Sequence, residues 1–201
     1  MSKVIHLALF STLLFGVAPV AIAQDHQTNA EMNRLSGEMD RLAGRNAWTG
    51  VDRIYLQLLD LTTGLDANIH MLGAEAARNM GKIYEMYRRH ERVAELDPNP
   101  DVLQVIKAME GAYGRIKIKG SSRWKVALER PSMPFAPDER KGIEYAKMIL
   151  AETGNFEGML PAGAYKIGQR EFSVEAGTQW QEIKVEKSDI SGRDGLVIYA
   201  G

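Results

Sequence analysis

LGAEAARNMGKIYEMYRRHERVAELDP, Leu72 to Pro98, reads as two short helices folded back at Gly81. The first begins upstream, where Leu65, Ile69, Leu72, Ala76 and Met80 recur at the spacing that turns one helical face toward a core. In the second, Lys82 to Leu96, that face carries Ile83, Met86, Tyr87, His90 and Val93. Asp97-Pro98-Asn99-Pro100 stops it, because a residue before proline is pushed out of the helical region. The neighbouring segments share this period, so the front of the chain is expected to be helical throughout.

Upstream, residues 47 to 61 (AWTGVDRIYLQLLDL) place Trp48, Val51, Tyr55, Leu58 and Leu59 on one face, and Thr62-Thr63-Gly64 ends the helix. Before it, the polar segment 24–46 carries Met32, Leu35, Met39 and Leu42 as a short seam, read as an amphipathic linker helix serving as spacer or docking strip. Downstream, Asp101 to Tyr113 forms a fourth helix with Val102, Val105, Ile106 and Met109 inward.

At Gly114 the period changes to two. Arg115-Ile116-Lys117-Ile118-Lys119 alternates charged and apolar, the mark of a half-buried strand. Arg123 to Glu129 alternates again through Trp124, Val126 and Leu128, so Gly120-Ser121-Ser122 reads as a hairpin loop. After Pro131 to Pro137 the chain returns to helix at 138–153, with Ile143, Ala146, Met148, Ile149 and Leu150 apolar and Gly154 as its stop. Met133 to Pro137 reads either as a recognition loop or, the favoured reading, as a stiff link from which Phe135 plugs the seam between this helix and the sheet. Short strands follow around Phe156–Leu160, Tyr165–Ile167, Phe172–Val174, Ile183–Val185 and Leu196–Tyr199, with Gly168-Gln169 as a two-residue hairpin turn. The expected fold is α+β: antiparallel helical hairpins over 47–113, then a small antiparallel β-sandwich over 114–201 with one inserted helix.

The first 23 residues read as an address. Lys3 is a short positive region, Val4 to Val20 is mostly apolar, and Ala21-Ile22-Ala23 is a small-x-small cleavage site, the pattern of a secretory signal peptide, with an uncleaved N-terminal anchor helix as the alternative. Cleavage leaves no further span, and makes the chain one unit more negative than its formal −1. That balance argues against nucleic acid, which calls for a strongly basic surface. The chain has no cysteine, which excludes disulfides and thiolate metal sites. An exported chain without disulfides suits a bacterial periplasm or cell surface at least as well as a eukaryotic secretory route.

Leu72-Gly73, Gly81 and Glu95-Leu96-Asp97-Pro98-Asn99 resemble the elements of a tetratricopeptide repeat, with Gly81 to Pro98 at the repeat's spacing and Leu72-Gly73 one residue too far upstream. The back half resembles the PEGA and carboxypeptidase-regulatory-like β-sandwich modules. Tyr113 to Ile118 looks like their first strand, Leu160-Pro161-Ala162-Gly163-Ala164-Tyr165 like a later turn and strand, and Phe172 to Gly177 like the strand after it. The Pro-Glu-Gly-Ala signature is absent, and the helix at 138–153 is extra to the module. The arrangement is also similar to exported proteins of unassigned function from myxobacteria and their relatives. These resemblances imply display, adhesion or docking rather than catalysis.

The residues carry no familiar catalytic signature. His70 and Glu75 lie five apart, wrong for two ligands on one helical turn, and no HExxH, GxSxG or phosphate-binding glycine loop occurs. Asp138-Glu139 reads as a pair of first-turn acids at a helix N-terminus. No catalytic residue, metal or cofactor is expected. Arg88-Arg89-His90-Glu91-Arg92 is the strongest positive cluster, either a site for an anionic wall polymer or acidic partner, or a solvated helix face. Trp180 is out of phase with Ile183 and Val185, either an exposed aromatic contact or turned inward by a bulge. The expected function is a non-catalytic envelope binding or scaffold protein, gripping a protein partner through Trp48, Tyr55, Arg88, Arg89 and Arg92. The alternatives are peptidoglycan or polysaccharide binding through Trp180, and an enzyme with an unrecognised site.

Overall fold

The computed structural model describes residues 20–190 except Lys125 and Met133, with side chains from Thr28 onward. The part of the expected signal peptide before Val20 and the expected strand at Leu196–Tyr199 lie outside the described residues. The fold is α+β. Five helices come first: α1 (Val20–Ala43), α2 (Trp48–Leu61), α3 (Ala67–Asn79), α4 (Ile83–Leu96) and α5 (Pro100–Ala112). Then follow β1 (Tyr113–Lys119), β2 (Leu128–Glu129), α6 (Pro137–Thr153), β3 (Asn155–Pro161), β4 (Gly163–Ile167), β5 (Arg170–Val174), β6 (Gly177–Lys184) and a single turn, α7 (Lys187–Ile190). Among the described residues no helix is long and apolar enough to cross a membrane.

Local chemistry sets the helix ends. The Asp66 carboxylate caps α3 by accepting from the Ile69 N–H at 2.9 Å, and Asn99 caps α5 through the Asp101 N–H at 2.9 Å. Pro100 opens α5 at a position that needs no N–H donor. Gly81 takes φ 72° between α3 and α4, and a Cβ there would lie 2.3 Å from the Lys141 carbonyl oxygen. The α3–α4 turn therefore docks against α6 by backbone approach, which only glycine allows. Gly154, at φ 74°, ends α6 in the left-handed conformation.

Leu35 and Met39 of α1 are buried in one core with Val51, Ile54, Leu58, Leu65 and Ile69. The seam of Met32, Leu35, Met39 and Leu42, expected to serve as a spacer or docking strip, packs into the core with α2 and completes the helical half. A second cluster joins α3, α4 and α5 to the sheet through Ala77, Ile83, Met86, Tyr87, Met109, Tyr113 and Met159. Tyr113 follows α5 directly, so no linker separates the halves.

The strands form two three-stranded sheets, β3-β1-β6 and β2-β4-β5. Their inner faces and α6 share a third core around Ile116, Ile118, Ile143, Leu150, Leu160, Tyr165 and Ile167. The β4–β5 hairpin turns at Gly168-Gln169, as its sequence indicates. Two expectations for this half are corrected. The strands are not all antiparallel: β6 runs parallel to β1. Three reversals after β3, at Ala162, Gly168-Gln169 and Ala176-Gly177, return the chain to the direction of β1. The segment 123–129 does not form a hairpin with β1. Only Leu128 and Glu129 pair, and they pair with β4, because the Val126 N–H bonds back to the Trp124 carbonyl and tightens the backbone before them.

Side-chain facing differs at a few positions. Arg89 rather than His90 takes the buried place in α4, while Leu59, Val105 and Met148 are exposed. Phe135 plugs no seam: it is 99% exposed on the loop before α6, and the Gly81–Gly142 approach and Ile83 fill the space between α6 and its neighbours instead.

Candidate functional site

Three polar side chains are buried in the described protein, Asp52, His70 and Arg89, and they form one network in the helical half. Asp52 lies on the Trp48–Tyr55 stripe of α2. Its Oδ1 is 2.7 Å from Arg89 Nη1 and its Oδ2 accepts from Lys82 Nζ at 2.7 Å. Burial alone would raise the Asp52 carboxyl. The Lys82 hydrogen bond and the Arg89 charge outweigh it and hold the group below the usual carboxylate range.

Arg89 also donates to the Gly73 carbonyl oxygen at 2.5 Å and lies 4.1 Å over the Tyr55 ring. Gly73 explains how the ring reaches α3, since a Cβ there would stand 2.6 Å from the Tyr55 ring. The Tyr55 hydroxyl and His70 Nδ1 are 3.0 Å apart, and His70 Nε2 is buried without a hydrogen-bond partner among the described residues. Burial first, then the charge of Arg92, lowers the His70 pKa, which favours the neutral ring. With Tyr55 donating to Nδ1, the neutral tautomer carries its proton on Nε2.

Above this network α2 and α4 enclose an open groove of about 750 Å³. One wall is Leu56 and Leu59 of α2. The other is Tyr84, Arg88, Arg92 and their acidic neighbours on α4, and Tyr55, His70 and Arg89 reach it from below. Leu56 and Leu59 are 48% and 39% exposed, an apolar strip at the mouth. Arg88 pairs with Glu91 at 3.5 Å and Arg92 with Glu95 at 2.5 Å, both exposed neighbours on the same helix. Such pairs are worth about 0–1 kcal/mol, so both guanidinium groups are free to re-pair.

Four of the five residues singled out in the sequence for a partner, Tyr55, Arg88, Arg89 and Arg92, meet at this groove. The fifth, Trp48, packs beside the α1–α2 core. The arginines divide: Arg88 and Arg92 face solvent, whereas Arg89 is spent inside. Sequence reasoning missed Asp52, Lys82, His70 and Leu56. The signal for Asp52 was present, because Trp48, Asp52 and Tyr55 fall at i, i+4 and i+7, and a charge on such a stripe marks a buried ion.

Trp180 sits on β6 just after a shift in the β1–β6 register and is 36% exposed. Its ring meets Tyr84 edge-on at 5.3 Å, and Lys117 Nζ lies 4.6 Å from its centroid. Much of its aromatic surface is thus engaged within the protein, between α4 and the sheet. No group of three His, Asp or Glu side chains among the described residues is placed to hold a metal ion. No family model, characterised protein or solved structure matches this chain.

Proposed function

We propose that this is a non-catalytic binding or scaffold protein of the bacterial envelope that holds a protein partner in the α2–α4 groove. The observation that carries the reading is the combination in that groove of an exposed leucine strip, arginines in weak pairs, and a buried network beneath that fixes the walls. Mixed apolar and charged walls suit a peptide or helix face, which brings both kinds of side chain. The Lys3 to Ala23 leader supports export, to the periplasm or surface. The α3–α4 hairpin with its Gly81 turn and Pro98 stop supports a repeat-like helical platform, and the two sheets with α6 support a PEGA-like sandwich that carries it.

Affinity capture from envelope extract tests the reading. The parent protein and a Leu103→Glu control, altered outside the groove, should retain a common partner that Leu59→Glu loses. Equal recovery by all three, or no specific species with any of them, would contradict it.

A further inference from the structure

Phe135 is the most exposed large apolar side chain in the described protein, held clear of the surface on a loop between Pro134 and Pro137. A bare phenylalanine on a proline-braced loop has little freedom to fold back, so its ring stands ready for a contact. At the other end of α6 is an apolar cavity of about 350 Å³ lined by Val126, Ala127, Leu128, Lys147 and Ala151. Since a dry cavity of about 150 Å³ already holds benzene, this one has room for a phenylalanine ring. The chain's own Phe135 cannot reach it: at 1.5 Å per residue, the thirteen or so helical residues between them span about 20 Å.

Between the knob and the hole runs one stripe of α6. Arg140, Glu144, Lys147 and Ala151 fall at i, i+4, i+7 and i+11 and share a face, with Arg140 and Glu144 exposed. Two copies of α6 laid antiparallel, with each Phe135 opposite the middle of the other's Lys147–Ala151 turn, have their two-fold axis level with Gly142. That register sets Arg140 of each copy opposite Glu144 of the other, whose exposed pair with Lys147 at 2.8 Å on its own helix is weak enough to be exchanged. One symmetry operation brings knob to hole and opposite charges together.

We propose that this face of α6 is a self-association surface, a two-fold contact with a second copy of this chain in which Phe135 of each protomer enters the other's apolar cavity. The contact is isologous and therefore closes at the dimer. One helix face and two aromatic anchors make a small interface, so the dimer is weak and forms at micromolar concentrations or above.

Sedimentation of the purified protein from about 5 to 500 μM tests this. The parent should shift from monomer to dimer within that range and go no further. Phe135→Ser, altered at a side chain with no packing to lose, should raise the dissociation constant at least tenfold. Arg140→Glu should weaken the dimer by several-fold, and adding Glu144→Arg should restore it. A parent that stays monomeric throughout, a dimer indifferent to Phe135→Ser, or a charge swap that fails to restore association would overturn the proposal.

Discussion

The two halves of this molecule hide different things. The β half buries an apolar core, Ile116, Ile118, Ile143, Leu150, Leu160 and Ile167, between two small sheets and a helix. The helical half buries an aspartate, an arginine and a histidine directly beneath the α2–α4 groove. An apolar core accepts many fillings of similar volume, whereas a buried charge demands a partner at one distance and angle. The helical half is therefore fixed in finer geometric detail, and the detail lies where a partner would rest.

The sharpest way to break this contrast is Asp52→Ala. It strands Arg89 without its carboxylate and should cost about 3–5 kcal/mol in urea unfolding. That equals or exceeds the roughly 2–5 kcal/mol expected for Leu160→Ala in the β core. Replacing Asp52, Lys82 and Arg89 together by Leu, Met and Met should be nearly neutral in stability while loosening the groove, because a fully apolar substitute leaves no ion stranded. A triple variant as unstable as Asp52→Ala would show that the network contributes stability rather than shape.

Gly73→Ala comes next. The added methyl meets the Tyr55 ring, and overpacking of this kind costs about 1–3 kcal/mol, offset in part by the roughly 1 kcal/mol that alanine gains over glycine in a helix. Net destabilisation, with a changed Tyr55 environment in near-ultraviolet dichroism, is the expected outcome.

The pH dependence separates two members of the buried network by the pH window in which each acts. The folded protein lowers the His70 pKa below its ordinary 6.5, so the unfolded chain binds more protons just below that pH. Stability is full above about 6.5 and falls as pH drops from there toward the folded value. The Asp52 contribution persists to lower pH and is lost only as the pH falls below its ordinary 3.8 toward its depressed folded value. Urea midpoints across pH 5 to 8 should decline on the acid side in the parent, with a shallower decline in His70→Gln. An unchanged slope in that variant would assign the effect elsewhere. The smallest stability effect belongs to Arg88→Ala and Arg92→Ala, expected within about 0.5 kcal/mol of the parent because each breaks an exposed pair, to which Arg88 adds only a long contact with the Tyr84 ring at 6.0 Å.

Much of this architecture was legible in the sequence, for identifiable reasons. Gly81, Pro98, Gly154 and Gly168-Gln169 act locally, and each marks the boundary its chemistry implies. The change of period at Gly114 marks the junction to within a residue. Pairing was less legible: alternation in 123–129 reports which side chains face inward, and Val126 and Leu128 do, but it does not name the neighbouring strand. The candidate site was half legible. Tyr55 and the arginines were visible as residue types, but a charged run looks uniform in one dimension. The 100° step between residues is what sends Arg89 inward beside Met86 and Val93 and leaves Arg88 and Arg92 outside. Phe135 was misread because composition favours burying phenylalanine, and nothing local records that its loop stands clear of the seam.

Site-specific photo-crosslinking in cells tests the central claim most directly. A photoreactive residue at Leu59, on the groove wall, should form a discrete adduct with one envelope protein, and the same residue at Leu103 should not. The adduct should vanish when Tyr84→Ala and Arg92→Ala are added in the opposite wall. No adduct from Leu59, or equal adducts from Leu59 and Leu103, would contradict the assignment of the α2–α4 groove as the binding surface.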